Sequence, residues 1–184
     1  FGSLVVAGVN VTISEDSATG FAGVNTVTGA LTVTAAGAIT DAPTTTFAVT
    51  GLATFNAGAN AITLGDDGTD TTNFGSLNFT GSVVAVTEDD ATVLNGTNSA
   101  STSLVLTAAG TITDNAAHTL TVVGNATFAA GANDITLGDN GADLINVGTL
   151  TFTGGAVSFV EDSATTLAGT STALGNLVLT SAGA

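Results

Sequence analysis

The chain has 184 residues, with 15 Asp plus Glu, no Lys or Arg and one His, for a formal charge of −15. Without cationic side chains it cannot neutralise phosphates, which excludes electrostatic binding to nucleic acid and docking on anionic lipid. The absence of Cys removes a disulfide framework, a thiolate metal site and a cysteine nucleophile.

In chain order, the first apolar alternation is LVVAGVNVTISEDS, with Leu4, Val6, Val11 and Ile13 on one face. A long polar stretch, residues 18–29, follows and reads as a tolerant link. LTVTAAGAITD then places Leu31, Val33 and Ile39 inward, and residues 42–46 read as an outward loop. ATFNAGANAITLGDDG places Phe55, Ile62 and Leu64 inward, with Gly and Asn of AGAN turning a corner.

At residue 74 the series begins again. LTVTAAGAITD from Leu31 returns as LVLTAAGTITD from Leu104 and as LVLTSAGA from Leu177, with the same 73-residue spacing both times. The units are therefore 1–73, 74–146 and a partial 147–184, all in one continuous array. The twelve opening positions, including Leu77, Phe79, Val84, Val86, Leu150, Phe152, Val157 and Phe159, are all apolar, as an interior face requires.

Glycines at 8, 37, 58, 81, 110, 131, 154 and 183 step by 29, 21 and 23 in repeated order. The nested period predicts an all-β, parallel β-helix, or β-solenoid, in which each unit is made of three such 21- to 29-residue coils. At the strand spacing each unit should add about 14 Å of length. Tandem β-sandwich repeats, in a calcium-binding version, are the rival architecture, and they explain the 73-residue period but not the shorter steps. No apolar run approaches the ~20 residues of a membrane span, so direct membrane insertion is not expected. A start at Phe1 and an end inside a repeated strand read as cuts in a longer chain. Uncapped coil ends predict that the chain continues, or that it self-associates into a fibre.

The chemistry is sparse. His118, the sole imidazole, stands where the preceding unit has Thr45, and this variable position reads as an exposed loop. The pairs Glu15 and Asp16, Glu88 and Asp89, and Glu161 and Asp162 suggest a two-carboxylate glycosidase. Their return in every unit reads instead as a turn signal, so no enzyme activity is expected. Counted from the glycines, Asp16, Asp41, Asp66 and Asp89 each follow a coil's second strand, and stacking is expected to align them in a column that attracts calcium. Within GDDGTD, Asp66, Asp67 and Asp70, and within GDNGAD, Asp139 and Asp143, are local calcium candidates. The rival reading makes all of them solubilising turn charges.

LTVTAAGAITD, ATFNAGANAITLGDDG and LTFTGGAVSFVEDS resemble the repeats of filamentous haemagglutinin-like bacterial surface proteins, the adhesins of two-partner secretion. The resemblance implies a right-handed β-helix shaft, an extracellular place on the bacterial cell surface, and a fibre reaching a host or neighbouring cell. The alternative from the binding class is a module whose outward loops take glycan or another copy of the chain.

Overall fold

The computed structural model describes residues 2–183, and among them every strand belongs to one parallel sheet with no helix. The chain winds as a β-solenoid of about eight turns. Parallel stacking suits these strands because each is covered on both sides by coils above and below, while the alternating Leu, Ile, Val and Phe point inward.

Two ladders run the length of the solenoid on opposite sides of this core. One, column A, passes from Thr19 through Ile39, Ile62, Val84, Leu104, Ala126 and Leu150 to Leu167. The other, column B, passes from Val11 through Leu31, Ala53 and Leu77 to Leu94, whose strand continues through Ile112, Ile135 and Val157 to Leu177. The interior is closed: Leu31, Ile39, Phe55, Leu64, Leu77, Leu104, Ile112 and Phe128 are all at 0% exposure.

Column A climbs from Thr19 to Leu167 in seven steps, so one 73-residue unit makes about three and a half coils. This differs from the three coils that the glycine steps predict, and the pairings give the reason. The interval from Gly8 to Gly37 holds two short strands, Thr19–Phe21 and Val24–Val27, and so spans a coil and a half. The stretch 18–29 is thus a working part of the coil and not a link.

The half coil has a consequence for symmetry. Leu31 pairs in column B, whereas its equivalent Leu104 pairs in column A. Each unit is turned to the opposite side of the one before it.

A third, shorter ladder belongs to each unit. In the first it links Ala7, Thr26, Ala48 and Asn73. In the second it links Thr80, Ser99, Thr121 and Asn146, and a third starts where Thr153 pairs with Thr172. The first unit fills this part of its core with rings: Phe47 stands 4.7 Å from Phe21 and 5.4 Å from Phe74 between centroids. The second has Leu94, Leu120 and Val147 at the corresponding places.

Candidate functional site

A ladder that begins or ends inside the solenoid leaves backbone groups without a strand partner, and each buried one costs roughly 1–3 kcal/mol if unmet. Buried asparagines serve the beginnings. Asn25 Oδ1 accepts the Val6 N–H at 2.9 Å, and Asn98 Oδ1 accepts the Phe79 N–H at 2.8 Å. In the third unit Ser171 takes the same place, its Oγ accepting from Phe152 at 3.3 Å.

The acid pairs serve the endings. Glu88 Oε2 accepts the Phe74 N–H at 2.9 Å, and Asp89 Oδ2 accepts the Thr72 N–H at 2.7 Å. One unit later Glu161 accepts from Val147 at 3.0 Å and Asp162 from Ile145 at 2.8 Å. The second and third pairs are therefore ladder terminators, with Glu88 and Glu161 each 1% exposed and Asp89 and Asp162 at the surface, while Asp16 of the first pair is exposed. Burial pushes the Glu88 carboxyl up to about 8, against the opposing pull of its bonds from Thr92 and Phe74.

The other acids meet at a corner of each unit. GDDGTD, residues 65–70, follows the strand Ile62–Leu64 and lies over Asp41 of the coil before it. Asp41 Oδ2 accepts the Gly65 N–H at 3.0 Å, while Asp70 accepts from Thr45 at 2.8 Å and from Asp67 at 3.0 Å. Gly65 has φ +69°, and a Cβ there would collide with the Thr87 carbonyl, so only glycine brings the loop this close. Thr44, in the facing turn, takes the left-handed region at φ 67°, uncommon for a β-branched residue.

The second unit repeats the corner with one exchange. Asp114 Oδ2 accepts from Gly138 at 3.0 Å, and Asp143 accepts from His118 N–H and Asn140 N–H, each at 2.9 Å. The imidazole of His118 adds a bond absent at Thr45. Asn98 Nδ2 faces Nε2 at 3.1 Å, and because Asn98 Oδ1 is already taken by Phe79, the amide must donate there. That places the ring proton on Nδ1, 3.2 Å from Asp114 Oδ2.

In each corner three carboxylates bring one oxygen apiece within 4.8 Å of the others: Asp41, Asp66 and Asp70, and again Asp114, Asp139 and Asp143. Asp41 Oδ1 and Asp114 Oδ1 are buried and accept no hydrogen bond. Burial raises the Asp41 carboxyl to about 6, with the charges of Asp70 and Asp66 adding to the effect and the Gly65 N–H opposing it.

These positions depart from the expected single column of acids. Asp41, Asp66, Asp70, Asp139 and Asp143 gather at the two corners. Asp16 is exposed beyond the Glu15–Ala35 pairing, and Asp89 is occupied with Thr72. Asp67 is turned away into its own loop, where Thr69 N–H and Oγ1 bond its Oδ1 at 3.0 and 2.7 Å and hold its pKa low.

The outward assignment of residues 45 and 118 is corrected as well, since both are at 0% exposure. Their difference between units is matched by different internal partners: Thr45 Oγ1 bonds the Ala42 carbonyl at 2.5 Å, while His118 reaches Asp114 and Asn98. Sequence reasoning also passed over Asp114, although the repeat itself sets it at the place in the second unit that Asp41 holds in the first.

No curated protein and no solved structure matches this chain. A family of repeats does match, over residues 8–78 and 80–153, in segments close to the 73-residue unit. With most of its length covered by two successive matches, the chain belongs to the family described as Repeats of unknown function (DUF5649).

Proposed function

We propose that this chain is a shaft segment of a large extracellular bacterial adhesin or surface filament, a rod that carries a contact region away from the cell. The observation that carries the reading is the joint between units. At each joint the incoming unit closes the third ladder of the unit before it with a Glu-Asp pair and opens its own with Asn98 or Ser171, on the opposite side. Such a joint can be repeated without limit, and turning each unit by half a coil keeps the growing rod straight by averaging any lean between its two sides. The net charge of −15 without a single cation adds support, because like-charged rods resist pairing side by side through their strand edges.

The test is made on intact cells of the source bacterium. Antibodies raised against the 184-residue chain should label unpermeabilised cells, and a brief treatment with a non-specific protease should remove the label. Labelling that appears only after permeabilisation would overturn the proposal.

A further inference from the structure

We propose that the two corners are calcium sites, one formed by Asp41, Asp66 and Asp70 and the other by Asp114, Asp139 and Asp143. The inference stands apart from the shaft reading. Three carboxylates converge within 4.8 Å in each corner, and there is no Lys or Arg anywhere in the chain to offset them. Clustering alone would not single out a ligand. The second observation is the orphaned oxygen: the Asp114 side chain is only 1% exposed, yet its Oδ1 accepts nothing, and Asp41 Oδ1 repeats the feature one unit away.

The surroundings prepare that oxygen. Gly65 and Gly138 occupy Oδ2 of Asp41 and Asp114 through backbone N–H groups, and His118 Nδ1 bonds the same Oδ2 of Asp114. The remaining oxygen is left buried with unused lone pairs, and an outer hydrogen bond of this kind orients a metal-binding carboxylate. Asp70 and Asp143 are fixed by two backbone N–H groups each, while exposed Asp66 and Asp139 remain free to close over an ion.

Oxygen-only ligands select a hard cation. Calcium fits a corner built from carboxylates of two different coils, because it accepts irregular sets of carboxylate, carbonyl and water oxygens, whereas magnesium demands a near-ideal octahedron. With three carboxylates per corner, the affinity should fall in the range of extracellular modules, Kd of about 10⁻⁴–10⁻³ M.

Calcium chloride titrated into the full chain, followed by calorimetry and by thermal melting at matched ionic strength, tests the proposal. The expected result is saturable binding of two ions per chain with a rise in Tm. Both should be lost in D41N/D114N and weakened at least tenfold in D66N/D139N, and D67N should bind as the parent does. Asp66 and Asp139 are exposed, so their variant should fold even if D41N/D114N does not. Absence of saturable binding, or binding undiminished in D66N/D139N, would overturn the proposal.

Discussion

At the scale of single residues, the alternation of apolar side chains is readable, and positions such as Phe128 and Leu104 lie in the core as their pattern requires. The polar interior is not. Variation between units at Thr45 and His118 imitates exposure, because one sequence does not reveal that a buried residue has changed together with its partners. Glu88 is hidden for a related reason: an acid after a strand reads as a turn unless the ladder ending above it is known. Its burial makes a pH prediction. The folded carboxyl titrates at about 8 against an ordinary 4.5, so the folded state holds the extra proton between those values. Stability from this group is full below 4.5 and is lost as the pH rises through 8. At about 1.4 kcal/mol per pH unit, the loss is on the order of 5 kcal/mol. Gln at this place keeps an acceptor for Phe74 without a charge. E88Q should therefore melt close to the parent at pH 5 and well above it at pH 9; melting curves that shift in parallel across this range would contradict the assignment.

At the scale of the element, the strands of columns A and B announce themselves by their Leu, Val, Ile and Phe. The third ladder does not, since Val24–Val27 and the first half of Thr97–Ala108 are interrupted by Thr, Ser and Asn. What holds its first rung in the second unit is Asn98, which serves Phe79, Asn95 and His118 at once, at 2.8, 3.1 and 3.1 Å. Removing that amide leaves at least two buried polar groups unmet, at about 1–3 kcal/mol each. N98A should lower the stability of the second unit by roughly 2–5 kcal/mol. N98S, which copies Ser171 of the third unit, should recover the part owed to Phe79 but not the part owed to His118. Chemical denaturation separates the three proteins, and equal stabilities of N98A and N98S would remove the ladder-opening role.

At the scale of the whole molecule, the 73-residue repeat is legible because apolar and glycine positions return without a gap, and the solenoid follows from the shorter steps inside it. The half coil is not legible. It depends on the 29-residue steps, such as Gly81 to Gly110, which hold a coil and a half with no landmark glycine between their ends. Three and a half coils at about 4.8 Å add about 17 Å per unit, in place of the 14 Å that three coils give. They also set the GDDGTD and GDNGAD corners on opposite sides of the rod. Cryo-electron microscopy of chains extended by whole 73-residue units measures this directly. The account predicts an unbranched rod that lengthens by about 17 Å per unit, with the corner loops alternating from side to side. A rise of about 14 Å with all the loops on one side, or a string of separate globular beads, would contradict it.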